Sequence, residues 1–518
     1  MLRAKACGAF PATALAAEPA RSAHCAAHPY RPARGPCGDA DLRHRSAPRA
    51  RRARGRAGGR GRRGDSSRAV SGRDRIGRRD RGPSAPLVST PPLRANRDFQ
   101  LLWAGQAVSV LGSRVSQIAY PLLVLAMTGS PATAGIVGFI GTLPYILFQL
   151  PAGALMDRVD RRRWMIACDV NCLLALGSVP LAAYLGALTI VQLTVVAFIE
   201  GTMFVFFRLG EVSAIRIVVP SVHYPAALSQ NEARLRAASL LGNPIGGFLF
   251  DVGKTVPFLA DAVSYAVSLV TLLLIRAPFE EARTGERHHV LAEINEGIHW
   301  LLGQHYILIV NLAASVTNAF FQIVILVVIV AERNRGASAT LIGIALAGFG
   351  VGGVIGSVAG GWISQRTRSN LVVMSTLWLW ATLTPLVGII SNPILLIVLL
   401  GSAGMMGAVW NVSTGTIYLR LIPDRLMARV SSVGSLTAFG ALPIGALLAG
   451  LLVQTYGPAA TGVITGAGML VIAALTTAAP SVRRGPPTVP VSASRSETAR
   501  SRARGTFPLA LVREDRIA

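Results

Sequence analysis

Gly153-Ala154-Leu155-Met156-Asp157-Arg158-Val159-Asp160-Arg161-Arg162-Arg163 joins two apolar runs, 133–156 and 163–186. Either run is long enough to cross ~30 Å of hydrocarbon as a helix, whereas the charged cluster between them is not. Working outward, the same alternation of long apolar run and short break covers 99–127, 189–216, 226–250, 254–276, 305–331, 338–364, 370–390, 393–419, 427–455 and 457–479. Only helices or closed barrels satisfy their backbone in lipid, and runs of this length specify helices. The reading is an all-α polytopic membrane protein of twelve transmembrane helices.

Composition agrees once charge is located along the chain. The 518 residues are 52% hydrophobic and 15% charged, yet carry a formal charge of +26. Residues 1–97 contribute a net +17, residues 98–479 only +4, and residues 480–518 a further +5. The arm 1–95 is Arg/Ala/Gly/Pro-rich, as in Arg49-Ala50-Arg51-Arg52, and cannot bury enough apolar surface to fold, so disorder is expected there and in the tail 480–518. A lipid or nucleic-acid tether competes with a bland extension from a wrongly chosen start; without interleaved aromatics the bland reading is preferred, and no nucleic acid is expected as a partner. Residues 1–17 resemble a weak signal peptide, but Pro11 breaks the apolar core and export would place the basic arm outside. The five cysteines show neither CxxC nor metal spacing.

Orientation follows from arginine placement. Breaks after even-numbered spans hold Arg158, Arg161, Arg162 and Arg163, then Arg283 and Arg287, Arg366 and Arg368, and Arg420 and Arg425. Breaks after odd-numbered spans, such as Gly129-Ser130-Pro131 and Ser391-Asn392-Pro393, are nearly uncharged, with Glu332-Arg333-Asn334-Arg335 the exception. Both termini are therefore expected in the cytoplasm. The halves repeat: Gly135, Gly153 and Arg158 recur at a constant offset of 208 as Gly343, Gly361 and Arg366. Such repetition suits a secondary transporter with its site between the repeats. The expected organisation is a six-helix bundle over 96–277, a linker over 278–304 with Ile294, Ile298, Trp300 and Leu301 on an amphipathic helix, and a second bundle over 305–479.

The pattern Gly153-x-Leu155-x-Asp157-Arg158-x-Asp160-Arg161-Arg162 resembles the loop signature of the major facilitator superfamily. Asn96-Arg97-Asp98-Phe99-x-Leu101-Leu102-Trp103-x-Gly105-Gln106 is similar to the first span of its macrolide-efflux and enterobactin-exporter-like branch. The resemblance covers residues 96–479. It implies proton-driven export of small amphipathic compounds by alternating access, a central cavity lined by spans one, four, seven and ten, and a gate at Gly153, Asp157, Arg158, Arg161 and Arg162. Three departures bear on coupling: Gly242-Asn243-Pro244-Ile245-Gly246-Gly247 displaces the proline of the superfamily's G-P-x-x-G-G, Ser113 stands where many members of the branch have Asp, and Cys172 stands in place of a span-three Arg.

Ionisable groups inside a bilayer are expensive and mark function by default. Span four places Glu200, Phe204, Arg208 and Glu211 on one face, with Arg208 and Glu211 spaced to pair. Glu200 lies ~16 Å along its helix from the outer end. Without a local partner it suits a proton carrier; a static pair with Arg114 is the competing reading. Span one adds Arg114 and Gln117, span seven Asn318 and Gln322, and span ten Trp410 and Asn411 as cavity residues. Asp169 and Asp261 are assigned to structure at shallower depth.

The glycines of span eight permit close helix approach; no GxxxxGK[ST] accompanies them, so nucleotide binding is not expected. No His/Ser/Asp set supports an enzyme. The expectation is a monomeric plasma-membrane exporter of a small molecule, without cofactor, energised by a proton gradient. An importer or uniporter of the same fold, or a membrane-tethered interaction protein acting through its basic arm, are the alternatives.

Overall fold

The computed structural model describes residues 93–149, 159–276, 290–423 and 426–486. The expectations for the arm 1–92, for the gate residues Gly153, Asp157 and Arg158, for most of the linker and for the tail beyond 486 lie outside the described residues. What is described is helical, and nine of its helices are long and apolar enough to cross a membrane.

The helices, in chain order, are α1 (Arg97–Thr128), α2 (Pro131–Thr142), α3 (Arg161–Tyr184), α4 (Ile190–Val218), α5 (Tyr224–Val252), α6 (Val256–Leu274), α7 (Val290–Gly303), α8 (His305–Asn334), α9 (Ala339–Arg366), α10 (Ser369–Leu383), α11 (Pro393–Leu421), α12 (Met427–Gly440), α13 (Leu442–Ala478) and α14 (Pro480–Arg484). Short polar breaks start and stop them. Gly129 ends α1 at φ 68°, a left-handed conformation that side chains resist; Ser130 then accepts from the Thr133 N–H, and Pro131 opens α2. Asp160 caps α3 by accepting from the N–H groups of Arg162 and Arg163, and Asn392 caps α11 ahead of Pro393.

Two expected spans are broken at prolines. Span nine stops as a helix at Leu383 and passes through a 3-10 turn, Thr384–Leu386, around Pro385. Span eleven is split into α12 and α13 at Ala441, because Pro443 has no N–H to continue the ladder. The expected break between spans eleven and twelve falls inside α13 at Gly457, whose φ of 76° interrupts the helix just before Pro458.

Close crossings are made by glycine. A Cβ on Gly352 would lie 1.8 Å from the Gly401 carbonyl oxygen, so α9 and α11 touch backbone to backbone. The segment Gly242–Gly247 of α5 is a three-helix junction. Gly242 and Gly246 face Arg114 and Val115 of α1, while Gly247 faces the Ala339 carbonyl of α9. Gly135 of α2 and Gly450 of α13 meet in the same way, each Cα under the other's missing side chain. Such small-residue contacts let membrane helices approach without a hydrophobic drive. The outward surface is apolar: Leu174, Leu181 and Val358 are 66%, 58% and 80% exposed, which is stable only against lipid.

The arginines that broke the charge pattern are engaged. Arg335 pairs with Glu332 at 2.5 Å and donates to the Gly388 carbonyl, while Arg333 donates to the Leu122 carbonyl of α1. In the linker, α7 buries Leu301 as expected but leaves Ile298 exposed, and its Glu296 pairs with Arg429 of α12.

Candidate functional site

A cavity of about 1130 Å³ lies among α1, α2, α4, α5, α8, α9 and α11. Its lining includes Arg114, Gln117, Glu200, Phe204, Arg208, Asn318, Gln322, Trp410 and Asn411, so all nine cavity residues singled out in the sequence sit on one wall system. Being on the wall does not leave each free: Asn318 donates to the Ala438 carbonyl at 2.9 Å and is spent on helix packing.

Glu200 is half-buried and accepts from the Tyr120 hydroxyl at 2.8 Å. Four residues before Tyr120 on α1, Ser116 donates to Asp261 of α6 at 2.6 Å; Asp261 also accepts from Ser264 at 3.0 Å. A second strand of this network runs from Gln106 to Ser268 (3.0 Å) and from Ser268 to Asp169 (2.6 Å). Asp169 and Asp261, expected to be structural, are both fully buried: Asp169 lines the cavity and accepts from Ser268, and Asp261 accepts from Ser116 and Ser264.

Two expected pairings are also corrected. Arg208 does not pair with Glu211; Glu211 instead binds Arg234 of α5 at 2.5 Å, with the arginine side chain 3% exposed. The interhelical partner wins because it is buried there, whereas Arg208 is exposed to the cavity. Arg114 does not pair with Glu200 either, but donates to Gln117 at 2.9 Å.

On the other side of the cavity the wall is aromatic. Trp380 stacks on Trp410 at 5.9 Å, meets Phe321 edge-on at 4.7 Å, and Phe321 meets Phe349 at 5.5 Å. These contacts join four helices into one apolar surface, held in place by the Trp380 indole N–H donating to the Ala403 carbonyl at 3.0 Å. Phe321, Phe349 and Trp380 were not anticipated, since their spans carry many apolar residues and no period marks the inward ones.

Of the expected gate, the described part is Arg161 and Arg162. Arg162 donates to the Leu272 and Leu273 carbonyls at 3.3 and 3.1 Å and so caps the end of α6, where cations are favoured. At the opposite end, Asp251 of α5 accepts from the N–H groups of Ala339 (3.0 Å) and Thr340 (2.8 Å) and from the Thr340 hydroxyl (2.6 Å). Burial alone would push this carboxyl up, but those three bonds hold it below the usual carboxylate range. Ser130 and Gln454 bond across the same end at 3.1 Å.

The chain is similar to the multidrug efflux pump Tap of Mycolicibacterium fortuitum, 26% identical over 72% of this chain and 93% of that protein. It is similar to macrolide efflux protein A of Streptococcus pyogenes, 24% identical over 69% and 90%. Among solved structures, a bacterial homologue of the human lysosomal transporter Spinster, in an inward-facing and unoccupied conformation, has the same fold, with a TM-score of 0.60, 14% identity, and coverage of 75% of this chain and 98% of that one. The family described as transmembrane secretion effector matches residues 88–488. With the match running from the start of α1 through the last helix, the chain belongs to that family of the major facilitator superfamily, a membrane transporter by fold and by kin.

Proposed function

We propose that this protein is a proton-coupled exporter of small amphipathic compounds. It works by alternating access of one cavity between two six-helix bundles, 96–277 and 305–479, each contributing six of twelve spans. The linker 278–304, the arm 1–95 and the tail 480–518 lie in the cytoplasm, and the protein acts as a monomer in the plasma membrane, without a cofactor. The observation that carries the reading is Glu200: a half-buried cavity carboxyl held by the Tyr120 hydroxyl rather than by an arginine. An acid paired to a guanidinium is locked as a charge, whereas one held by hydroxyls can exchange a proton with the cavity and still find partners in either state.

The bonds of Asp251 to α9, Arg333 to α1 and Ser130 to Gln454 all cross between the bundles at one end, which supports a cavity closed there and reached from the other. The relatives, a multidrug efflux pump and a macrolide efflux protein, support efflux as the direction.

The test is proton movement in proteoliposomes holding the full chain under an imposed pH gradient, with anionic, neutral and cationic amphipathic compounds added in turn. Compound-dependent proton flux that disappears in Glu200→Gln is expected. Compound movement without proton flux, unchanged in Glu200→Gln, would overturn coupling and leave a uniporter.

A further inference from the structure

The acids and bases on the cavity wall do not balance once their partners are assigned. Glu211 is consumed by Arg234 at 2.5 Å, and Arg236 by Glu232 at 2.7 Å. Asp169 and Glu200 accept from the hydroxyls of Ser268 and Tyr120, and neither makes an ion pair with a guanidinium among the described residues. That leaves Arg114, whose one hydrogen bond goes to the neutral amide of Gln117, and Arg208, which among the described residues has no acid partner. The two guanidiniums come from α1 and α4, and both line the same cavity, as does Tyr145.

Two guanidiniums on one cavity wall, neither in an ion pair among the described residues, are costly in a low-dielectric surrounding. A Cβ on Gly242 would lie 2.3 Å from the Arg114 Cβ, so α5 presses the arginine stem from behind and restricts its retreat. Each guanidinium offers a fork of N–H donors that matches a two-oxygen acid. Across the same cavity stand Phe321, Phe349, Trp380 and Trp410, which offer ring faces and edges but no acid.

Resting on the exporter reading above, we propose that Arg114 and Arg208 receive the acidic group of the transported compound, and that this compound is an amphipathic anion. A carboxylate, sulfonate or phosphate ester is bound by the two forks while its apolar body lies on the aromatic wall. An organic cation of the same size meets two unpaired positive charges and is disfavoured by the same geometry.

The test is equilibrium binding to the full chain in nanodiscs, with no gradient, using two probes that share one ring: dansyl-taurine, a sulfonate, and dansylaminoethyl-trimethylammonium, a cation. Dansyl-taurine is expected to bind at least tenfold more tightly, and raising salt from 50 to 500 mM to weaken it. Arg208→Gln and Arg114→Gln are each expected to cost about tenfold for the sulfonate and little for the cation, while Arg208→Lys keeps most of the affinity. Equal or tighter binding of the cation, or sulfonate binding indifferent both to salt and to Arg208→Gln in protein of native melting temperature, would overturn the proposal. Salt dependence in the unaltered protein keeps the test decisive if a variant does not fold.

Nanodiscs with and without phosphatidylglycerol separate two sources of the acid: displacement of the probe by that lipid assigns a lipid headgroup, and no displacement assigns a soluble acid. Because no proton movement is read, a protein that prefers the sulfonate yet moves no protons defeats coupling and leaves this proposal standing. One that moves protons only with cations, and prefers them in binding, defeats this proposal alone.

Discussion

Asp251 and Thr340, from two helices that belong to opposite halves of the molecule, share two hydrogen bonds: the carboxylate takes both the N–H and the hydroxyl of the threonine, at 2.8 and 2.6 Å. Together with the Ala339 N–H, this makes an acid of α5 a second cap of α9 beside its own Ser338, supplied from outside the helix it caps.

Asp251→Ala removes that cap. Caps are worth about 0.5–2 kcal/mol, and Asp251 is exposed, so about 1 kcal/mol is expected, a roughly fivefold shift away from closure at this end. The measurement is alkylation of Gln322→Cys by a membrane-impermeant maleimide applied from the Asp251 side, which should quicken by that factor. Because the carboxyl is held below its usual range, the cap is complete at any pH above that range. It is lost only as pH falls through the lowered value, so the ratio of labelling rates with and without Asp251→Ala, in which the thiol's own pH dependence cancels, should be constant from about pH 5 to 8 and fall towards one in stronger acid.

Glu211→Gln leaves Arg234 buried and without its counter-charge. Removing one partner of such a pair costs about 3–5 kcal/mol, and a clear fall in the melting temperature of the detergent-solubilised protein is expected. The double variant Glu211→Gln/Arg234→Met should recover much of it. A single variant that melts with the unaltered protein would show that the pair carries no structural weight.

Gly343→Val places a side chain where the Asn243 carbonyl already stands, 2.3 Å from the Cβ position. Overpacking of this kind costs about 1–3 kcal/mol, and here it separates α5 from α9 rather than loosening a core. The expected result is a lower melting temperature with faster labelling of Gln322→Cys. Gly361→Ala, where nothing lies within 4 Å, should change neither.

Trp380→Ala dismantles the aromatic wall at its centre, removing the stack on Trp410 and the edge contact with Phe321. A loss of about 3 kcal/mol is expected, with Trp380→Phe costing less than half as much. Thermal melting checks stability. Binding of a dansyl probe to the surviving fraction, expected to weaken severalfold, checks the wall's part in recognition.

The sequence was legible wherever one residue acts on its own neighbours. Gly129-Ser130-Pro131 announces the end of one helix and the start of the next because each residue has a local preference that no tertiary contact needs to supply. The inward stripes of α1 and α4 were legible for the same reason, since polar atoms at helical spacing cannot face lipid. The pairings were not. Glu211 prefers Arg234, 23 residues away on another helix, over Arg208 one turn before it, and only packing reveals which is buried. That Asp261 is held by Ser116 likewise depends on how α6 packs along α1. The helix breaks at Ala441 and around Pro385 were missed because an apolar run remains apolar whether or not its backbone is continuous.

The crossings of Gly135 with Gly450, and of Gly247 and Gly343 with the backbones opposite them, carry one more implication. A seam made of main chain against main chain has no rotamers to freeze when it forms and none to release when it parts. The two halves can therefore come together and separate at these points with almost no change in side-chain order. The balance between their arrangements is left to the few polar bonds along the rim and to whatever fills the space between.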